Sequence, residues 1–458
     1  EFRYDTRIQK RSFNVINIYD INKGEYKQLT HRSRLFSPCL SPDGESIAVI
    51  KIGLDNTFKL VELDAKTGKE IRSYPNVYNY FLQTPAFNNE GDKLISVAVS
   101  KEGAALLETS RTDGSSRIIF PFQRQQLSRP VYVNQNIIFS AHYNGLNNIY
   151  SISPGSQSIR ALTSVPFGAA NPSYSSRTKK LLFNNYQIRG YDVAAVSLSG
   201  VQGPPLSNIH DTFINYAAPL ARQEGASSVL DSVPAIKYPV KPYRELKNLF
   251  YFHSLSPIAE TNGNDDDSKL GLNLKSANKL NTLDFYAGYQ FNTGLKRSEY
   301  LAGFTYKRFY PILDVKYTNQ AHLLYTRQTI GNVSTLVPVN WRENFMELGL
   351  EVPFVFNGLN KTYHMGFKGS SSYTSRYEVQ NQPGNFISKL RFPLEYMVYM
   401  NRNTQRSARD LAPRWGQNFS LSYHHLPFED KVNGTLLSFR STFYTPGILL
   451  NHSFQASF

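Results

Sequence analysis

Residues 344–356 read NFMELGLEVPFVF, and apolar and polar side chains alternate through the middle of this stretch. An alternation with a period of two predicts a β-strand whose two faces meet different surroundings. Charged residues on one of the faces indicate that this face is wet. The apolar set is Met346, Leu348, Leu350, Val352 and Phe354, and the opposing set is Glu347, Gly349 and Glu351.

The same alternation recurs on both sides of this stretch, for example in NTLDFYAGYQFN (281–292) and SKLRFPLEYMVYM (388–400). These strands run for about 9–13 residues, longer than the 5–6 usual in soluble sheets. A lipid-spanning strand needs about 9–11 residues with one apolar and one polar face. We therefore predict an antiparallel transmembrane β-barrel of about ten strands over residues 244–458. A large soluble β-sandwich with one solvated face is the alternative.

The composition favours an all-β chain. Aromatic residues make up 14%, from 30 Tyr and 30 Phe against 2 Trp, and strands favour Tyr and Phe. No run approaches 18 apolar residues, which excludes a transmembrane helix. Trp341 and Trp415 lie near strand starts and are predicted interface anchors, with ordinary packing as the alternative.

The first half of the chain is repetitive. Turn glycines at 24, 68, 114, 155 and 200 and prolines at 38, 85, 130 and 172 recur in phase, about 44 residues apart. Each proline is predicted to open a short strand, and four short strands per period form one blade of a β-propeller. We predict a propeller of four to five or more blades over 1–222 and a proline-rich linker over 223–243. The N-terminus supplies only the last two strands of a blade, and residues 212–217 could lend another.

Two stretches carry a resemblance to known proteins. SPDGESIAVI (41–50) resembles the repeat of TolB-type propellers. The segments YRELKNLFYFHSLSP (243–257), RFYPILDVKY (308–317) and RDLAPRWGQ (409–417) resemble large envelope proteins of Bacteroidota. In these proteins a TolB-like propeller precedes an outer-membrane β-barrel, sometimes behind a gluzincin-like peptidase domain. The resemblance implies a barrel in the outer membrane, a propeller in the periplasm, and a role in outer-membrane protein assembly, secretion or envelope scaffolding.

Catalytic motifs are missing from the sequence. It contains no H-E-x-x-H, no G-x-S-x-G and no P-loop, so we predict no enzymatic activity and no cofactor. The single cysteine, Cys39, excludes a disulfide within the chain and is predicted to be a small buried apolar residue. The adjacent His424 and His425 should face opposite sides of a strand, so they cannot form one metal site alone. Asp265–Asp267 could touch Ca²⁺ but lack the EF-hand spacing, which favours a solvated loop.

The net charge of +15 comes from basic residues spread along the chain, without the dense run typical of nucleic-acid binding. A surface facing anionic lipid or glycan is the alternative source of this charge. The candidate for such a surface is NRNTQRSARDLAPRWGQ (401–417), because guanidinium groups pair with oxyanions through two hydrogen bonds. An ordinary exposed loop is the alternative. The candidate residues are Arg402, Arg406, Arg409 and Arg414.

These observations predict a non-enzymatic outer-membrane protein whose periplasmic propeller acts as a scaffold or accessory subunit of an envelope machine. Its partners would be proteins of that machine and outer-membrane lipid, and not nucleic acid. Two alternatives stay open. The barrel could transport a solute or a polypeptide, or the chain could be a fragment of a larger protein with an upstream gluzincin-like peptidase domain.

Overall fold

A computed structural model describes residues 1–8, 11–155, 158–198, 203–210, 217–225, 242–261, 268–330, 333–358, 360–428 and 434–458. The chain divides into two compact units. The first unit comprises Glu1–Arg3 and Phe13–Pro239, and the second comprises Tyr4–Ser12 and Val240–Phe458. The predicted Gly200 turn, residues 212–216, residues 226–241 of the linker and Asp265–Asp267 lie outside the described residues. The domain boundaries at 222 and 243 stay predictions.

Short strands dominate the described residues up to position 197. They are β1 Phe2–Tyr4, β2 Ser12–Asn14, β3 Asn17–Asp20, β4 Glu25–Gln28, β5 Leu35–Leu40, β6 Ser46–Ile52, β7 Phe58–Asp64, β8 Glu70–Ser73, β9 Phe81–Phe87, β10 Lys93–Ser100, β11 Gly103–Ser110, β12 Ser116–Gln123, β13 Ser128–Val133, β14 Asn136–Ala141, β15 Asn148–Ile152, β16 Ile159–Ala161, β17 Ala169–Ser175, β18 Lys180–Gln187 and β19 Gly190–Ser197. One α-helix, α1 (Ala217–Glu224), and short 3₁₀ turns at Leu206–Asn208 and Glu245–Asn248 complete the helical content of the described residues.

Consecutive strands of the first unit pair into antiparallel sheets. Strands β5–β8, β9–β12 and β13–β16 each form a four-stranded sheet, whereas β17–β19 and β3–β4 form sheets of three and two strands. The first strands of successive sheets, β5, β9, β13 and β17, are neighbours. Buried apolar side chains fill the space between one sheet and the next. Sheets stacked in this way are propeller blades, so the blade prediction is confirmed for the described strands, including the two-stranded N-terminal sheet.

Glycine closes the turn between the third and fourth strands of a blade. Gly68 and Gly114 have φ angles of +72° and +76°, which side-chain-bearing residues rarely adopt. Their amides donate to the carbonyls of Asp64 and Ser110 at 2.8 and 3.0 Å. At Gly68 a Cβ would also lie 2.6 Å from the Leu29 carbonyl oxygen. Gly155 differs from these two glycines, because its φ lies outside the left-handed region.

Contrary to the prediction from the sequence, the recurring prolines do not open their strands. Each lies inside the first strand of a blade, where the pairing register shifts. Proline cannot donate a ladder hydrogen bond, and a β-bulge leaves one residue without a ladder partner. The preceding residue is left-handed in every one of these four blades, with φ between 42° and 57°. These residues are Ser37, Thr84, Arg129 and Asn171.

A buried carboxylate joins the first two complete blades. Glu62 in β7 is 1% exposed. Arg111, which follows β11 in the next blade, donates through Nε to both Glu62 carboxylate oxygens at 3.1 Å. Tyr74 donates its hydroxyl to the same carboxylate, and Arg111 Nη2 donates to Ser46 Oγ at 3.0 Å. We call Glu62, Tyr74 and Arg111 the first inter-blade lock.

A second buried carboxylate lies one blade further along, where the arginine comes from the same blade and the tyrosine from the next. Glu108 occupies the corresponding third strand, β11, and is 7% exposed. It accepts from Arg117 Nε at 2.8 Å and from the Tyr132 hydroxyl at 2.9 Å, and Tyr132 lies in β13 of the next blade. Burial and the Glu108 charge raise the pKa of Tyr132. Each lock therefore fastens a carboxylate of one blade to the blade that follows.

The first lock predicts a loss of stability at alkaline pH. Burial and the bond to Glu62 raise the pKa of Tyr74 from 10 to about 12. A raised folded-state pKa contributes stability that is complete below pH 10 and is lost as the pH rises through 12. We expect the urea midpoint of the wild-type chain to fall more steeply across this range than that of Tyr74→Phe. Other buried tyrosines titrate in both proteins and cancel in the comparison. Equal slopes would contradict the assignment.

The second unit contains one sheet of eleven described strands, each antiparallel to the next in chain order. The strands are β20 Phe252–Thr261, β21 Ser268–Ala277, β22 Leu283–Asn292, β23 Arg297–Tyr306, β24 Ile312–Ile330, β25 Val333–Asn357, β26 Lys361–Gln380, β27 Lys389–Thr404, β28 Gly416–His425, β29 Thr435–Pro446 and β30 Ser453–Ser457.

The strand lengths of this sheet differ from the prediction, and its closure into a barrel is not settled by the described ladders. Strands β24–β27 contain 19, 25, 20 and 16 residues, longer than predicted, because the hairpins continue beyond the alternating segments. Among the described ladders none pairs β20 with β30. The all-β prediction is confirmed, whereas the closed barrel stays a prediction.

Candidate functional site

One face of the β20–β30 sheet is apolar from its first strand to its last. Residues directly opposite each other in an antiparallel pair share a face, so the register identifies this apolar face without ambiguity. Leu272 is opposite Tyr289, Val315 is opposite Leu348, and Phe439 is opposite Leu421. Its members include Leu255, Leu272, Tyr289, Phe304, Val315, Leu348, Phe367, Val398, Leu421, Phe439 and Phe454.

The apolar face is exposed. Leu272, Leu348 and Phe439 retain 51%, 49% and 58% of their accessible surface. Within the described residues of the second unit, the buried apolar side chains are few: Ile8, Leu283, Ala321 and Val339. The four buried apolar clusters all belong to the first unit. A contiguous apolar surface of this extent costs free energy in water, at about 25 cal/mol per Å².

The opposite face, the polar face, carries paired charges. Glu299 is fully buried and accepts from Gln290 Nε2 at 2.7 Å and from Lys269 Nζ at 3.0 Å. Arg376 Nε lies 2.8 Å from Glu343 Oε2. Further pairs on this face are Lys368 with Glu351, His424 with Glu395, and Lys316 with Asp314. The two faces therefore require opposite surroundings.

The height of the apolar face matches a bilayer. In β25 apolar side chains occupy this face from Met346 to Phe356, ten residue steps apart. At about 3.4 Å per residue this is roughly 34 Å along the strand. For a strand tilted by about 40° the height is roughly 26 Å, close to the band of about 25 Å on outer-membrane barrels.

A polar and aromatic border ends the apolar face beyond Met346. Asn344 Oδ1 accepts from the Tyr317 hydroxyl at 3.0 Å and from Asn319 Nδ2 at 2.6 Å. Asn319 Nδ2 also donates to the Tyr377 hydroxyl at 2.7 Å, and the Arg342 guanidinium lies 5.9 Å from the Tyr377 ring centre. Tyrosine hydroxyls and amides at such a border suit the water–hydrocarbon boundary, where amphipathic rings gather.

Arg402 marks the other border. The sequence predicts a basic loop at this position, but Arg402 lies in β27, opposite Tyr363 and Gln417. Its guanidinium lies 6.0 Å from the Tyr363 ring centre, and Nη1 donates to Gln417 Oε1 at 3.1 Å. Its Nε is buried and lacks a hydrogen-bond partner among the described residues. The strand continues further than predicted because Asn401, Asn403 and Thr404 keep their ladder pairs with β26.

The remaining candidate arginines, Arg406, Arg409 and Arg414, are exposed in the connection between β27 and β28. Asp410 shapes this connection by accepting from the Ser407 amide at 2.8 Å. The four predicted arginines are therefore split between a strand end and a loop. Their role in binding lipid phosphate or glycan stays a prediction.

The two tryptophans have different surroundings. Trp341 lies on the polar face, 5.2 Å from the His322 ring and 5.6 Å from the Phe386 ring, with the Arg376 guanidinium at 5.9 Å. This placement supports the packing alternative for Trp341. Trp415 is 51% exposed, immediately before β28, and stays a predicted anchor.

The candidate metal-ligating and thiol residues that the structure describes, His424, His425 and Cys39, form no site. His424 faces Glu395 at 3.6 Å, whereas His425 stacks near Tyr423 at 5.2 Å on the other face, as the strand geometry predicts. The described residues contain no group of three or more His, Cys, Asp and Glu side chains that could hold a metal ion. Cys39 is half-buried, whereas the sequence predicts a fully buried residue. This burial raises the pKa of its thiol.

Comparison with known proteins gives distant likenesses. No family model and no curated protein matches the chain. Among solved structures, it is similar to TolB from Acinetobacter baumannii, with 16% identity and a TM-score of 0.36 over 59% of this chain and 58% of that one. It is also similar to a putative TolB from Agrobacterium tumefaciens, with 12% identity and a TM-score of 0.35 over 58% of this chain and 85% of that one. An oligogalacturonate lyase in complex with manganese follows, with 12% identity and a TM-score of 0.31 over 62% of this chain and 69% of that one.

The chain spans 58% of the length of the first of these structures. At these scores the likenesses carry no argument about function. Within the described ranges, no helix has both the length and the apolar composition needed to cross a membrane.

Proposed function

We propose that the second unit inserts into the outer membrane of a Gram-negative bacterium as a β-barrel, and that the first unit is a periplasmic propeller that binds a protein partner. The protein is a non-enzymatic scaffold or accessory subunit of an envelope machine, in outer-membrane protein assembly or secretion. One observation carries the proposal: an exposed apolar face lies directly behind a polar face with paired charges.

Lipid is the environment that satisfies both faces at once. Acyl chains remove the apolar face from water, and a wet interior accommodates the polar face. A sandwich would need a second apolar layer against the same face, and the described residues of the second unit form one sheet. The border residues support the same placement of the apolar face in lipid. Arg402 and Tyr363 lie at one end of the apolar face, and Arg342 and Tyr377 lie at the other.

The scaffold role rests on the first unit. Its buried apolar side chains lie between blades, and its loops and strand edges lie at the surface, where apolar side chains such as Ile21, Leu54 and Val77 are exposed. Propellers present such loops on a rigid frame, a form suited to binding a protein. The Glu62 and Glu108 locks contribute to that rigidity by fastening successive blades.

Two single-cysteine variants at adjacent positions, one on each face, test whether the apolar face contacts lipid. With Cys39 replaced by serine, Leu348→Cys and Glu347→Cys each put one thiol on β25, on the apolar and the polar face respectively. In liposomes, we expect a fluorophore at 348 to be quenched by nitroxide-bearing lipids and one at 347 by a water-soluble quencher. Equal aqueous quenching at both sites would contradict insertion.

Transport by the barrel remains a second candidate, because the polar face would line its interior. Conductance measurements on planar bilayers that contain the purified full chain distinguish transport from the scaffold role. Stable unitary conductance favours transport, whereas a silent inserted protein favours the scaffold.

A further inference from the structure

A cavity of about 770 Å³ opens between the third and fourth blades of the first unit. This volume lies within the range of about 300–1,000 Å³ typical of small-molecule sites. Its wall combines cations, hydroxyls, an amide and an aromatic ring. The residues that matter here are Asn136, Ser151, Ser153, Arg160, Tyr174 and Lys179.

The surrounding sequence has an unusual charge distribution. Residues 114–191 contain eight Lys and Arg and no Asp or Glu, whereas residues 12–74 contain nine basic and eight acidic residues. The described residues that line the cavity include no acidic side chain. Carboxylates pair with lysines and arginines at the first blade, whereas no ion pair among the described residues involves the two basic residues at the cavity, Arg160 and Lys179.

Arg160 is held in place but keeps hydrogen-bonding capacity. It lies in β16, whose outer edge is covered by Gly203–Pro205, since the Ala161 amide donates to the Pro204 carbonyl at 3.0 Å. Arg160 Nη1 donates to the Gly203 carbonyl at 3.1 Å. A guanidinium has five N–H donors, so most remain available to a ligand. Lys179, in the β17–β18 turn, supplies a second charge on the cavity wall.

We propose that this cavity binds an oligosaccharide that carries carboxylate or another oxyanion. The two cations pair with the oxyanion through charge-assisted hydrogen bonds. Hydroxyls and amides such as those of Ser151 and Asn136 can both donate to and accept from sugar hydroxyls. The ring of Tyr174 and the side chain of Leu162 offer apolar surface to the C–H face of a sugar ring. An acidic peptide would instead favour an open strand edge, and the Gly203–Pro205 segment covers the edge of β16 here.

Calorimetry on the full chain tests the proposal, with a hyaluronan tetrasaccharide as the probe. Chitotetraose is the uncharged control sugar, and tetraglutamate is the peptide control. Lys179→Gln should weaken hyaluronan binding about tenfold, because a charge-assisted hydrogen bond is lost. Lys180→Gln is the matched control, since it removes the same charge one residue away and outside the cavity wall, and it should change binding by less than about twofold. Arg160→Gln is a secondary variant, because Arg160 also bonds Gly203.

Several results would overturn the inference. These are no hyaluronan binding, equal binding of chitotetraose, equal binding of tetraglutamate, or an equal loss in the Lys179 and Lys180 variants. The cavity lies within the first unit, so failure here leaves the membrane proposal for the second unit untouched.

Discussion

The Leu421→Arg variant is expected to prevent stable insertion of the second unit into a bilayer. Leu421 lies in the middle of the apolar face, opposite Val398 and Phe439. A guanidinium at mid-membrane on a lipid-facing strand costs about 2–4 kcal/mol. Folding into liposomes, followed by gel mobility or protease protection, should show a large loss of inserted protein.

Ser422→Arg is the matched control for that variant. Ser422 is the next residue in β28 and lies on the polar face, opposite Met397 and Ser438. The same charge should be tolerated there, because water or the paired side chains of this face can solvate it. If both variants insert equally well, the apolar face does not contact lipid and the proposed function is wrong.

The second large effect is expected at the first inter-blade lock. Arg111→Met leaves the Glu62 carboxylate buried without its cation, and breaking a buried ion pair in this way costs about 3–5 kcal/mol. Urea unfolding of the full chain, followed by a probe in the first unit, should show this loss. The double variant Glu62→Leu with Arg111→Met should recover part of it, because no unpaired charge remains.

Lys66→Met is the control for the lock. Its ion pair with Glu45 has a similar length, 2.9 Å, but both side chains are largely exposed. Solvent screens exposed pairs, which contribute little to stability, so this variant should be nearly neutral. An equally small effect of Arg111→Met would show that the lock does not stabilise the blades.

Local periodicity accounts for what the sequence could predict. Alternation in a strand is set by neighbouring residues, so NFMELGLEVPFVF was sufficient to assign both faces of β25. The face of Trp341 could have been found in the same way, because it lies an odd number of residues from Met346 and therefore on the polar side. The repeat of glycines and prolines located the blades for a similar reason.

Features that depend on distant residues were missed. A proline can open a strand or occupy a bulge, and only the register of β9 against β10, which skips Thr84 and Pro85, distinguishes the two. Glu62 and Glu108 interrupt apolar third strands, which is a signal of buried charge, but Arg111 and Tyr132, the partners that join them to the next blade, come from later in the chain. The exposed arginines of 405–415 were separated from Arg402 by a strand end that sequence patterns locate only to within a few residues.

The inter-blade locks have a consequence for how the chain matures. During synthesis Glu62 emerges 49 residues before Arg111, so the first complete blade is made while its acidic group still lacks a counter-ion. A truncated chain that ends between Glu62 and Arg111 should stay open to water at that point, and the blade should close only when the next repeat is present. Blades that look interchangeable in the sequence are therefore interdependent. Dividing the chain between the first two complete blades should yield two unstable fragments instead of two independently folding modules.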